Sequence, residues 1–131
     1  MKKVSSPLSE QIARGDLMAA NCPSRGVLKH MTSRWGVLVL IALQGRVLRF
    51  SELRRMIGGV SERMLAQTLQ GLEQDGMVRR QALPVVPPHV EYSLTPLGTE
   101  GADKLRALAD WIETSLPRIQ DHQNNPAAQD G

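Results

Sequence analysis

The sequence predicts one mostly helical α+β domain, in which two short helices joined by a glycine turn lead into a β-hairpin and a long final helix. Three observations carry that expectation. Apolar residues recur at helical spacing on both sides of Gly58-Gly59. Val90, Tyr92 and Leu94 alternate with polar neighbours at the period of a half-buried strand. Thr95-Pro96 then places a capping hydroxyl before a proline, a strong helix start. The 131 residues suffice for one domain with its own core and are too few for two of ordinary size. With 41% hydrophobic residues but only four aromatics, aliphatic side chains must fill that core.

Taken in order, residues 1–20 read as an N-terminal arm, with Ser6-Pro7 starting a short helix to about Arg14. Cys22-Pro23 precedes a second helix whose inner side carries Val27, Leu28 and Met31. Ser33 starts a third, where Trp35, Leu38, Val39 and Ala42 recur at helical spacing and are expected in the core; Gly45 ends it. Val47, Leu48 and Phe50 make a short extended piece, and Ser51 is expected to cap a helix carrying Leu53, Met56 and Ile57.

Gly58-Gly59 supplies the positive φ that a tight reversal requires. Ser61 caps the next helix, and Leu65, Leu69 and Leu72 follow i, i+4, i+7 as its inward stripe. Asp75-Gly76 ends it. Met77–Leu83 and His89–Leu94 read as hairpin strands around Pro84-Val85-Val86-Pro87-Pro88, a connection too rich in proline to pair along its length. A helix-turn-helix followed by such a hairpin is a winged helix, with a two- to three-stranded wing sheet. The last helix carries Leu105, Leu108, Trp111, Ile112 and Leu116, a stripe longer than one small core needs, which points to subunit contacts. Pro117 is expected to end or bend it. The expected boundaries are a winged domain at 21–112, a dimerisation helix at 97–119 and a polar, disordered tail at 120–131.

Charge suggests what this fold meets. Ten Lys or Arg residues face four acids between Arg25 and Arg80, whereas seven acids face Lys104, Arg106 and Arg118 from Glu91 onward. One basic face toward a polyanion fits this asymmetry, and so does an ordinary solvated surface. The outward stripe of the helix after Gly59 is Arg63, Gln67, Gln70 and Gln74. Arg matches guanine O6/N7 and Gln matches adenine N6/N7, so this stripe suits base edges in a major groove, although such residues also populate solvated helices. Arg79 and Arg80 at the wing root and His89 near its tip suit phosphates, or serve as charges that keep a sheet edge soluble.

In the order and spacing of its motifs the chain resembles the HxlR family of bacterial winged-helix regulators. The matching residues are Cys22-Pro23, Arg34-Trp35, Arg49-Phe50, Glu52-Leu53, Met64-Leu65, Asp75-Gly76 and, most specific, Val86-Pro87-Pro88-His89-Val90-Glu91-Tyr92. Leu83 stands where many relatives carry a wing tyrosine. The resemblance implies a homodimer held by N- and C-terminal helices on an inverted-repeat operator in double-stranded DNA, and a repressor acting by occlusion. The DNA-binding candidates are Arg49, Ser51, Ser61, Glu62, Arg63, Met64, Gln67, Gln70, Arg80, Pro87, Pro88 and His89.

Cys22, the only cysteine, forms no internal disulfide. Some members of the family sense oxidants or electrophiles at this position. A thiolate is favoured near a helix N-terminus or cations such as Arg25 and Lys29; the alternative is a small buried hydrophobe. An oxidant or small-molecule signal is therefore open. The three histidines lie in separate elements, and neither a phosphate loop nor a nucleophile elbow occurs, so no enzyme, metal or cofactor is expected. The longest apolar run, Gly36 to Leu43, is far below the ~20 residues of a membrane span, and no apolar stretch follows Lys2 and Lys3 as in a secretory signal. Together these suggest the cytoplasm. A winged helix that binds protein instead of DNA is the rival reading; it would be expected to expose apolar groups where Arg63, Gln67 and Gln70 lie.

Overall fold

The computed structural model describes residues 16–125. The helix expected at residues 7–14 and the residues beyond 125 lie outside that range. Five helices and one two-stranded antiparallel sheet follow in order among the described residues: α1 (Ser24–Thr32), α2 (Arg34–Ala42), α3 (Phe50–Met56), α4 (Glu62–Gln74), β1 (Val78–Leu83), β2 (His89–Leu94) and α5 (Pro96–Asn124). No described helix is long and apolar enough to cross a membrane.

The core is aliphatic, as the scarcity of aromatics requires. Val39, Leu40 and Leu43 from α2 and its end meet Leu53 and Ile57 of the α3 region, Leu65, Leu69 and Leu72 of α4, and Ala102 and Leu105 of α5. Each fully buried leucine contributes about 1.5–3 kcal/mol through apolar area withdrawn from water. Helix α2 is buried most deeply. It packs against α1, α3, α4 and α5, which leaves it little room for polar residues and explains its nearly continuous apolar run.

Local chemistry sets the element ends. The Ser33 hydroxyl accepts from Gly36 N at 3.0 Å, Ser61 from Met64 N at 3.1 Å and Thr95 from Gly98 N at 2.9 Å, so three helices begin on side-chain caps. Gly59 takes φ +87°, the left-handed turn between α3 and α4 that a side chain would strain. Gly98 is needed for a different reason. A Cβ there would lie 1.9 Å from the Met77 carbonyl oxygen, so only glycine lets α5 begin against the start of β1. Thr95 completes that junction, its hydroxyl donating to the Gly76 carbonyl at 2.5 Å and its N–H to Met77 O at 3.1 Å.

The strands pair from Val78 opposite Leu94 to Leu83 opposite His89. Leu48 joins the sheet through a single bridge to Tyr92, with N–H···O distances of 2.9 and 2.8 Å, so the third strand is one residue wide.

Several expectations are corrected. Helix α3 begins at Phe50, with Arg49 at its cap position and Ser51 inside its first turn; Glu52 reaches back and accepts from Arg49 N at 2.8 Å, which moves the start two residues earlier. Leu28 and Leu38, expected inside, are 45% and 41% exposed, because periodicity marks an apolar face without saying how wide the covered part is. Val78, not Met77, opens β1. Pro117 does not end α5, which continues through Asn124. A proline removes the donor to the Glu113 carbonyl, but both residues lie on the exposed side, where that carbonyl is open to solvent. Residues 120–124, expected in a disordered tail, are accordingly helical.

Candidate nucleic-acid interface

Helix α4 has two opposed faces. Leu65, Leu69 and Leu72 are at most 3% exposed, while Arg63, Gln67, Gln70 and Gln74 all stand exposed on the other side. The inward stripe fixes the helix's rotation, so the outward polar stripe is presented as a unit. Ser61 and Glu62 lie at its start. Glu62 is 3.7 Å from Arg54 of α3, an exposed pair that contributes at most about 1 kcal/mol. Met64, at 42% exposed, continues the surface.

The hairpin brings a second set alongside. Arg80 shares a cleft with Ala66, Gln70 and Glu73 of α4 and with Tyr92 of β2. The Arg49 guanidinium meets the His89 imidazole, with Nε to Nε2 at 3.2 Å and a further contact from Nη2 to Nδ1. His89 Nε2 is in turn 2.9 Å from Glu91 Oε2. This chain of three joins the entrance of α3 to the wing. Pro87 and Pro88 are exposed at the wing tip, after a cis peptide bond at Val86-Pro87. Ser51 is exposed on α3.

Two residues beside this surface were not assigned to it from the sequence. Lys29, with His30 and Ser33, faces Met64, Gln67 and Thr68 across a cleft of about 230 Å³ between α1 and α4. Glu91 was quoted only as part of a motif; its spacing of two from His89 places both on one side of a strand, a signal available from period two alone. The Arg49–His89 contact spans 40 positions and left no local signal. His30 Nδ1 also meets Asp75 Oδ2 at 2.6 Å, tying α1 to the C-terminal cap of α4, and its ring packs close over Gly71, 3.3 Å from where a Cβ would sit.

Cys22 is buried, 7% exposed, immediately before α1. Hydrogen bonding from the Ser24 side chain lowers its thiol below the ordinary value, against the upward push of burial; backbone groups at Ser24, Asp16 and Arg25 add to the lowering. On α5, Leu108, Trp111, Ile112 and Leu116 are 48%, 57%, 42% and 40% exposed. Leu105, grouped with them from the sequence, instead points into the chain's own core at 7% exposed. Helix α5 packs on α2, with Gln44 bonded to Asp103 and Arg106 on either side of Leu105, which joins the core cluster.

A buried-faced helix after a glycine turn, a paired hairpin beside it and a cap-to-wing contact define a winged helix-turn-helix protein. The model of the HxlR-like helix-turn-helix family matches residues 30–120, and the chain belongs to that family. It is 65% identical over 119 residues to the HTH-type transcriptional regulator YtfH of Escherichia coli strain K12, spanning 91% of this chain and 93% of that one. Among solved structures, the transcriptional regulator ytfH from Salmonella typhimurium superposes with a TM-score of 0.80 at 64% identity, over 84% of this chain and 98% of that one. The redox regulator HypR in its reduced form superposes with a TM-score of 0.69 at 30% identity, over 76% and 98% respectively.

Proposed function

We propose that this protein is a sequence-specific DNA-binding repressor that occupies an inverted-repeat operator as a homodimer. The observation that carries the reading is the exposed Arg63–Gln67–Gln70 stripe directly opposite a fully buried leucine stripe on the second helix of the motif. Arg63, Gln67 and Gln70 take base edges in the major groove, helped by Met64 and by the helix start at Ser61 and Glu62. Arg49, Ser51, Arg80 and His89 meet phosphates, with Pro87 and Pro88 at the wing tip, and so set register without reading sequence. Leu108, Trp111, Ile112 and Leu116 of α5 form the subunit contact. Two such domains place their reading helices in successive major grooves about 34 Å apart.

The test is a gel-shift titration against the DNA upstream of the protein's own gene at several salt concentrations. If each subunit neutralises roughly four phosphates, the log–log slope of affinity against salt is near −7. Flat salt dependence, or equal affinity for random duplex, rejects the reading.

A redox signal at Cys22 is the finer part of the proposal. The hydrogen bonds that lower its thiol support it, as does the likeness to HypR, whose name is that of a redox regulator. With one cysteine per chain, oxidation by diamide takes two protons and two electrons from two thiols to form one S–S bond, either between subunits or with a small thiol. Diamide is expected to change the mass and lower the operator affinity of the wild type and not of Cys22→Ser. An alkylation profile of the native protein should have its midpoint below that of an ordinary free thiol. Equal responses from both proteins make Cys22 a packing residue.

A further inference from the structure

Apolar side chains and two arginines surround a cleft of about 410 Å³ between α2, α3 and α5, apart from the surfaces assigned above. Helix α2 supplies Leu38, Ile41 and Ala42, and the end of α3 supplies Met56, Ile57 and the turn at Gly58. Arg46 comes from the loop after α2 and Arg106 from α5. The volume falls within the roughly 300–1,000 Å³ of small-molecule sites, which pair apolar walls with a few placed polar groups. Leu38 and Met56 are 41% and 46% exposed, so the walls keep apolar area in water.

The arginines have donors to spare. Arg46 Nη1 meets the Met56 thioether at 3.6 Å, a weak acceptor, and Arg106 Nε donates to Gln44 Oε1 at 3.0 Å. Gln44 also separates Arg106 from the nearby acid, because its Nε2 donates to Asp103 Oδ1 at 3.1 Å. Among the described residues, no ion pair involves either guanidinium.

We propose that this cleft binds a small organic carboxylate with an aliphatic or aromatic body. Arg46 and Arg106 hold the carboxylate, since a guanidinium's forked N–H groups match two carboxylate oxygens, and the body lies on Leu38, Ile41 and Met56. A neutral apolar ligand would leave both cations unused, and a sugar or nucleotide would meet walls unable to bond its hydroxyls. The occupant touches α3, the first helix of the helix-turn-helix, and α5, so it biases the angle between the reading unit and the long helix.

The test measures ligand binding alone and so stands or falls separately from the DNA reading. Octanoate and benzoate are titrated into the full chain by calorimetry, with octanol and benzyl alcohol as neutral counterparts, and backbone amides are followed by NMR. The acids are expected to bind with Kd below about 1 mM and the alcohols about tenfold more weakly or worse. Shifts should centre on Leu38, Ile41, Arg46, Ile57 and Gly58. Arg46→Gln and Arg106→Gln, both at exposed positions, are each expected to weaken the acids about tenfold while leaving the alcohols unchanged. Leu38→Asn should weaken acids and alcohols alike. Absence of binding, equal binding of acids and alcohols, or shifts centred on Trp111 overturns the proposal. So does a change in sedimentation by Arg46→Gln with no effect on the acids, which would make the cleft a contact between copies.

Discussion

Helix α4 and the second half of α5 are both amphipathic, yet they turn opposite chemistry toward solvent. Helix α4 hides its leucines completely and shows arginine and glutamine. Beyond Leu105, α5 shows Leu108, Trp111, Ile112 and Leu116. Water solvates the first surface well, so its partner must offer hydrogen-bonding groups and negative charge. The second keeps apolar area in water for as long as it stays uncovered, and an apolar protein surface is the partner chemistry that suits it. On the proposed function, the first surface is the one that reads DNA and the second the one that joins subunits.

Four substitutions sharpen or break this contrast. Leu65→Ala, at 0% exposed, removes the anchor that sets the rotation of α4 and is expected to cost about 2–5 kcal/mol of folding stability. Urea denaturation measures it, and a loss below 1 kcal/mol on that scale would mean the buried face is not what orients the helix. Ile112→Asp places a charge on the apolar face of α5 and is expected to weaken self-association by about 3–5 kcal/mol with the fold retained. Sedimentation at several concentrations tests it; a variant that associates as the wild type does would make α5's exposed stripe irrelevant to assembly.

Arg63→Ala is expected to weaken operator binding by about 1–3 kcal/mol and to relax preference at particular base pairs, leaving stability nearly unchanged. Equal weakening on operator and random duplex would turn that stripe from a reader into a phosphate contact. Ser61→Ala removes the hydroxyl that accepts from Met64 N and is expected to cost about 1 kcal/mol of stability, the smallest of the four effects. A cost near zero would show that the reading helix starts without its cap.

The α4 side of this contrast was legible because its determinants are local. Ser61, the leucines at i, i+4, i+7 and Asp75-Gly76 all act within one helix, and each stands where the pattern predicts. The α5 side was only partly legible. Its apolar stripe was evident, but nothing local told Leu105, covered by α2, from Leu108, left uncovered. Pro117 misled for a related reason, since the cost of a helical proline depends on whether water reaches the orphaned carbonyl. The Arg49–His89 contact and the cleft around Arg46 and Arg106 depend on elements distant in sequence, so only the folded chain brings them together.

The His30–Asp75 contact gives α4 a mechanical character. Polar ties from α4 to other elements gather at its C-terminal end, where Asp75 meets His30 at 2.6 Å and the His30 ring seats against Gly71. At the other end the recorded tie is the exposed Arg54–Glu62 pair at 3.7 Å. Leu65, 0% exposed, holds the opening turn of the same helix in the core, so α4 is fixed by packing at its start and by a polar clamp at its finish. Breaking the His30–Asp75 contact is therefore expected to loosen the last turn, with Gln74, while Arg63 keeps its place beside Leu65.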